Sequence, residues 1–556
     1  MTPFKKPSGR IGSTKSKTGC DTCKSVFIYP QLQFHGTNYL QPRARRIRCG
    51  EEKPHCVKCT STGRQCSYAS LKPSPEIVGS PQSQITREFS HLAARERRAF
   101  EYYFHQAGPS LSGVLDLSFW RGSVLQICRL EPAVWDAIIS LSALYERPPI
   151  HGSAPFALIN GPAAVRHAYH HEALVWYSRS LTALQKRINQ GVADLTVSLI
   201  TCILFIAIEL LQGNRNAALT LYRQGAQMMV SAMASVGGPS DHKTCINRGF
   251  LVSAVKPIFR RLGTWVLINN GIMEDSRGLD LIILDEHFTS MDDARNVLCG
   301  IVAEMKTLNL ATRAHWKKPT DTRRREAFAL VARQGQLENR LHHWHRLFKT
   351  SKFRTISHPQ PVAGSDTGET ALLYMTYISV LIETRTCLNT DQAAYDDYEL
   401  EFAQILDCAS TAIAATRNSD GKQPPFLFEM GVFLPLFVAA LKCRSPQLRR
   451  QALRYMWDAP PAQGLFMCDP AAYVVALIVI LEEDPTSVLQ EGSDVWEALA
   501  KPGCRPAPRD RIWDFRVSSQ ASQDGTMQGW LHYTLRNWDC EDGEIQFVER
   551  SLPFPS

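Results

Sequence analysis

The sequence predicts a small metal-stabilised N-terminal module joined to a large all-α region, and three observations carry the prediction. Six of the 16 cysteines crowd between Cys20 and Cys66, while the other ten are scattered singly from Cys128 to Cys540. Residues 1–66 hold 13 Lys and Arg against 3 Asp and Glu, a surplus of +10, whereas the whole chain is +9, so the remainder sums to about −1. From about Thr86 onward, apolar residues recur almost throughout at the spacing of helix faces.

A chain of 556 residues is too long for one core, and two to four domains are expected. Its 44% hydrophobic and 21% charged content describes an ordinary soluble protein. The first twenty residues are polar and basic, unlike a signal peptide. The longest apolar run, Leu195 to Leu211, is interrupted by Glu209 and falls short of the roughly 20 residues a bilayer requires. A buried core helix is expected there, and no membrane partner. Nothing routes the cysteines to an oxidising compartment, so they are expected as metal ligands or core residues. A basic module on a neutral body is the electrostatic footprint of nucleic-acid binding.

In chain order, residues 1–19 form a basic tail with Lys5, Lys6, Arg10, Lys15 and Lys17, suited to nuclear import or to generic phosphate affinity. Residues 20–66 carry the cysteine cluster. In residues 67–84, nine of eighteen positions are Ser, Pro or Gly, a composition that tethers and cannot build a core. The helical body occupies 85–556. Val134, Ile138, Leu141 and Tyr145 mark one helix face, and Leu195–Leu211 is apolar on every face. Further helices are expected at 163–189, 214–235, 250–270, 370–392, 396–418 and 446–457, with polar breaks near Gly237–Asp241 and His358–Gly368. Alternating patterns are rare before residue 510.

Within the cluster the spacing is Cys20-x2-Cys23, Cys49-x6-Cys56, Cys56-x2-Cys59 and Cys59-x6-Cys66. A two-residue spacer turns both sulfurs onto one metal at about 2.3 Å, and two such pairs make a strong zinc signature. Six thiolates fill one tetrahedral site with two left over, or serve two zinc ions if two sulfurs bridge.

Cys20-Asp21-Thr22-Cys23-Lys24, Arg45-Arg46-Ile47-Arg48-Cys49, Lys53-Pro54-His55-Cys56-Val57-Lys58-Cys59 and Thr62-Gly63-Arg64-Gln65-Cys66 together resemble the fungal-type binuclear zinc cluster of transcription factors. The resemblance implies two short helix-loop halves around two zinc ions. Cys20 and Cys56 would bridge the metals, Cys23 and Cys49 would complete one, and Cys59 and Cys66 the other. It further implies a nuclear regulator of RNA polymerase II genes that places a short helix in the major groove of double-stranded DNA, over a CGG triplet. Arg45 and Arg46 are then expected at base edges, where arginine donates to guanine O6 and N7, with Lys24, Arg48 and Lys58 on phosphates. Control of a metabolic gene cluster is a further implication of the family.

The chain departs from that pattern in one respect. The family places six residues between the second and third cysteines, and this chain has 25, from Lys24 to Arg48. The surplus, about 26–44, carries Phe27, Tyr29, Pro30, Phe34 and Tyr39 and almost no charge. One reading is a looped-out insertion, since closure entropy grows slowly with loop length. The other is a retained intron: its length suits a short intron, Val26 is encodable with GT first, and Thr37-Asn38-Tyr39 is encodable as an ACTAAC-type branch signal. Transcript reads that span codons 20–50 without a gap would sink the intron reading. If the cluster is disrupted, the alternative is a helical protein-interaction regulator that no longer binds DNA.

The body loosely resembles the regulatory domain attached to such clusters. The resemblance rests on Phe119-Trp120 with Glu131-Pro132-Ala133-Val134, and on Phe433–Phe437 with Lys442-Cys443-Arg444 and Leu448–Ala452. It implies regulation and self-association and supplies no active site. Residues 86–108 do not sustain heptads, so any homodimer is expected through the helical body. His167 with His171, and His342 with His343 and His345, are weak metal candidates, each lacking a third ligand or paired carboxylate. No phosphate loop or nucleophile elbow is present, and no enzyme is expected. Glu482-Glu483-Asp484 and Asp539 to Glu544 are expected as solvated loops, or as acidic surfaces that recruit transcriptional machinery.

Overall fold

The structure, a computed structural model, describes residues 49–53, 55–61, 94–148, 168–234, 249–270, 287–351, 365–484, 495–521, 527–538 and 545–554. The chain divides into two units, Met1–Ser90 and His91–Ser556. The expected breaks and tethers at 1–19, 26–44, 67–84 and Gly237–Asp241 lie outside the described residues, as does the acidic piece Asp539 to Glu544.

The second unit is mostly helical. Its first long helix, α1 (Pro132–Glu146), starts with proline at the first turn, where a missing N–H costs nothing. Then come α2 (Ala168–Asn189) and α3 (Leu195–Leu211). Asp194 caps α3, accepting from the backbone N–H of Thr196 at 2.8 Å and of Val197 at 3.1 Å. Every residue from Thr196 to Leu211 is buried, as the unbroken apolar run predicts, because α1 and α4 (Arg215–Ala234) cover it. Glu209 stays inside because the Tyr177 hydroxyl donates to its Oε1 at 2.8 Å.

Helix α5 (Lys256–Asn270) crosses α4 at Gly225. A Cβ there would lie 2.5 Å from Phe259 Cε1 and 2.9 Å from Cys202 Sγ. On an exposed helix, Gly→Ala gains about 1 kcal/mol. Gly225→Ala is expected instead to destabilise by about 1–3 kcal/mol through overpacking against the fully buried Phe259. A lowered melting temperature checks this, and a raised one refutes it.

The chain continues through α6 (Met291–Trp316), α7 (Thr320–Thr350), α8 (Ser365–Thr386), α9 (Glu399–Ala415), α10 (Phe433–Lys442), α11 (Pro446–Asp458) and α12 (Cys468–Glu483). The expected stretches correspond to α2, α4, α5, α8, α9 and α11 with shifted ends. α6, α7, α10 and α12 were not among them. α7 buries only Leu337, Leu341, Trp344 and Phe348, a seam too narrow to stand out from its polar surroundings. Gly368 falls inside α8 rather than at a break, and a glycine suits the position because a Cβ there would meet Ala415 Cβ of α9 at 2.4 Å.

The expectation of an all-α body is corrected at two places, the smaller being a short antiparallel pair, Ala462–Gln463 with Phe466–Met467. Residues after 510 form an antiparallel sheet, β1 (Ile512–Ala521), β2 (Met527–Asn537) and β3 (Gln546–Pro553), in that order. Trp513, Phe515 and Val517 alternate with Asp514, Arg516 and Ser518, a period of two that no helix accommodates. Among the described residues no helix is long and apolar enough to cross a membrane.

Candidate nucleic-acid interface and regulatory body

In the first unit the structure describes three of the six expected ligands. Cys49, Cys56 and Cys59 are buried, and every other described residue from Gly50 to Ser61 is exposed. Even Val57, the one aliphatic residue, is 56% exposed. Among the described residues of this stretch only the three thiols are withdrawn from water, a pattern that suits a metal-centred module. Cys56 stands at the N-cap of the short helix Val57–Thr60, and its carbonyl accepts from Cys59 N–H at 2.9 Å, the turn that brings a C-x2-C pair together. Glu51 adopts a φ of 64° and its N–H donates to Cys49 Sγ at 3.4 Å, the kind of amide contact that steadies a thiolate. Lys58 lies exposed on the same helix. Cys20, Cys23, Lys24, Arg45, Arg46, Arg48 and Cys66 lie outside the described residues. Among the described residues no three His, Cys, Asp or Glu side chains are grouped to hold one metal ion. In the expected arrangement Cys49 and Cys59 serve different zincs, so these three would not share one.

Two buried charge clusters tie distant segments of the second unit together. In the first, Asp116 accepts from Arg261 at 2.7 Å and from Arg295 at 2.8 and 2.9 Å, while Arg295 also reaches Glu429 at 2.9 Å. Burial alone would raise the Asp116 carboxyl, but Arg261 and Arg295 hold it below the usual carboxylate range. For Glu429 burial wins and raises it, despite Arg295. Above this cluster, Trp120 packs edge-on against Phe428 with centroids 5.2 Å apart, and the Tyr103 hydroxyl donates to the Trp120 carbonyl at 3.0 Å.

The second cluster overturns the solvated reading of Glu482-Glu483-Asp484. These residues end α12 rather than forming a loop. Glu482 is 2% exposed, accepts from Arg449 at 2.6 Å and from Ile512 N–H at 2.7 Å, and is ion-paired with Arg444 at 3.2 Å. Glu483 pairs with Arg450 through two bonds, at 3.1 and 2.8 Å. Only Asp484 is exposed. The acidic pair faces inward because Arg444 and Arg449 are themselves fully buried and require it.

Beside this cluster is a cavity of about 830 Å³, bounded by α6, α8, α10, α12 and β1. One wall is aromatic: Phe433 stacks on Phe466 at 4.8 Å and on Phe437 at 5.5 Å. Five basic residues line it, Arg215, Lys306, Arg313, Lys442 and Arg516, against the acidic Glu383 and Asp514.

Residues 98–254 match the family model described as "Fungal specific transcription factor domain". Two curated proteins are also similar. The aspercryptin biosynthesis cluster-specific transcription regulator atnN of Emericella nidulans is 28% identical over 88 residues, 16% of this chain and 11% of that protein. The transcription regulator lscL of Purpureocillium lilacinum is 23% identical over 216 residues, 36% of this chain and 50% of that protein. The chain thus spans half or less of the curated relatives it matches. No solved structure matches. These similarities support a fungal transcription regulator.

The matched region supplies Asp116, Trp120 and helices α1–α4, and its partners Arg261, Arg295, Phe428 and Glu429 all come from beyond residue 254. Among the described residues none of the histidine candidates joins a group of three possible metal ligands, and His171 is exposed. His345 stacks on Tyr377 at 4.3 Å, and His342 Nε2 lies 3.2 Å from Arg385 and 3.5 Å from Glu338. His343 lies 3.3 Å from Arg346, and His167 is outside the described residues. The cavity was not anticipated. Its residues come from seven separated segments, and the nearest signal was Lys442 at the end of an otherwise apolar helix.

Proposed function

We propose that the chain is a sequence-specific DNA-binding regulator of RNA polymerase II transcription, acting in the nucleus. Cys20, Cys23, Cys49, Cys56, Cys59 and Cys66 hold two zinc ions. Arg45 and Arg46 read CGG-type half-sites in the major groove, while Lys24, Arg48 and Lys58 contact phosphates. Residues 67–84 tether this module to a non-catalytic regulatory body that offers the surface for self-association and for transcriptional machinery. The relative named for a biosynthesis cluster suggests a metabolic gene cluster as target. The observation that carries the reading is the burial of Cys49, Cys56 and Cys59 in an otherwise exposed stretch, beside a surplus of basic charge.

Metal analysis of the purified chain is expected to give about two zincs, with CGG-duplex affinity that falls steeply as salt rises. A folded chain holding no zinc and showing no duplex affinity would defeat the reading. The 25-residue spacer favours a second one, in which the cluster is broken and the body acts through protein contacts alone. A chain lacking residues 26–44 separates the two. If both forms bind duplex, the insertion is a tolerated loop. If only the shortened form binds, the second reading holds for the chain as it stands.

A further inference from the structure

The cavity beside α10 has an asymmetry of charge that the fold itself leaves uncompensated. Of its cations, Lys306 pairs with Glu383 at 2.8 Å, Arg313 with Asp514 at 2.7 Å, and Arg516 with Glu549 at 2.7 Å. Two remain. Lys442 donates only to neutral acceptors, Gln392 Oε1 at 2.7 Å and the Trp513 carbonyl at 3.4 Å, and its ammonium lies 5.4 Å from the centre of the Tyr395 ring, while Glu482 and Asp514 offset its burial only in part. Arg215 has no side-chain hydrogen bond or ion pair among the described residues, and its burial lowers its pKa with no carboxylate to offset it. Opposite in sense, Glu383 is 8% exposed and uses only Oε2, towards Lys306 and Asn309, while its buried Oε1 has no hydrogen-bond partner. Glu383 Oε1 is one of fourteen buried side-chain atoms without a hydrogen-bond partner among the described residues, and the only one of them in the lining of this cavity, which it shares with two under-compensated cations.

We infer that this cavity binds an amphipathic organic anion, a small acid whose apolar, ring-bearing body lies on Phe433, Phe437 and Phe466 and whose carboxylate meets Lys442. Its volume, about 830 Å³, falls within the range of about 300–1,000 Å³ typical of small-molecule sites, which are likewise mostly apolar with a few placed polar groups. Burial first, then the neighbouring charges of Arg444 and Arg313, push the Lys442 ammonium down to about 7. An anion alongside would relieve that cost, whereas a second cation or a purely neutral guest would not. A donor on the guest would satisfy Glu383 Oε1. The cavity is built from α6, α8, α10, α12 and β1, so a ligand there would bear on how the sheet and α12 sit together. The inference rests on the body alone and is independent of zinc and DNA.

The test uses the whole purified chain and two fluorescent probes that differ by one group. 8-Anilinonaphthalene-1-sulfonate carries an anion, and N-phenyl-1-naphthylamine has the same rings without it. The anionic dye is expected to saturate about one site per chain, to be displaced by 1-naphthoate, and to bind about tenfold or more tightly than the neutral dye. Lys442→Met is expected to weaken the anionic dye by about tenfold or more and leave the neutral dye unchanged. Ala471→Phe, which fills the cavity from α12, is expected to abolish binding of both. Equal affinities for the two dyes would overturn the inference. So would anionic-dye binding that survives Ala471→Phe, a result that remains decisive should Lys442→Met fail to fold.

Discussion

Glu482→Ala is expected to lower the stability of the helical body by about 3–5 kcal/mol, the cost typical of removing one partner from a buried ion pair. The physical reason is what it leaves behind. Arg444 and Arg449 are fully buried, and without Glu482 they keep only carbonyl contacts and a 3.7 Å approach of Arg449 to Glu483. The Ile512 N–H loses its acceptor as well. A displaced urea midpoint of the body's transition is the measurement, and a displacement worth under about 1 kcal/mol would contradict the buried-cluster account. Replacing Arg444, Arg449 and Glu482 together by apolar residues of similar size is expected to recover much of the loss, since the desolvation cost then disappears with the charges. The pH dependence has a definite sign. Burial would raise the Glu482 carboxyl, but Arg444, Arg449 and the Ile512 amide outweigh it and hold the pKa below its ordinary value. The stabilisation is therefore fully present above the unfolded value of about 4.3 and lost as pH falls through the folded one. The gap between wild type and Glu482→Ala should close in acid.

Cys56→Ser is expected to cost both zincs and all specific duplex binding, if the proposed arrangement holds. Cys56 would bridge the two ions, so its loss removes a ligand from each. Structural zinc supplies about 10–16 kcal/mol of apparent folding energy in small zinc domains, far more than a 47-residue module is expected to draw from a core of its own. The body's melting transition should not move, since α1–α12 draw their core from their own side chains. Lys58→Ala should act quite differently. It should weaken binding about equally across sequences and reduce the salt slope by about one counterion. If Cys56→Ser retains two zincs, the bridged assignment is wrong.

The parts of this molecule that were legible in sequence are those where one residue type dominates a local stretch. Leu195–Leu211 announced a buried helix because no face was polar, and that helix has the expected ends. The C-x2-C turn at Cys56 and Cys59 was readable because two thiols fixed their own spacing. α7 was not, because four core residues in 31 dilute below the threshold of any window. Nor was the fate of Glu482 and Glu483. A run of acids reads as solvated unless its arginines are known to be buried 33 residues earlier, and nothing local to either segment says so. The cavity failed for the same reason, since Glu383 and Lys442 are ordinary residues until the fold sets both in its lining.

The place of β1 in that wall bears on the order in which the protein is made. Trp513, Phe515 and Val517 close the cavity, and Ile512 completes the bonding of Glu482, yet all four leave the ribosome after every helix from α1 to α12. During synthesis a domain folds as a unit, so its closure waits for its last strand. The nascent body therefore cannot close its aromatic trough or complete the bonding of Glu482 until the strand emerges. During that interval it is a natural client for chaperones, and slow codons ahead of residue 512 would prolong the exposure.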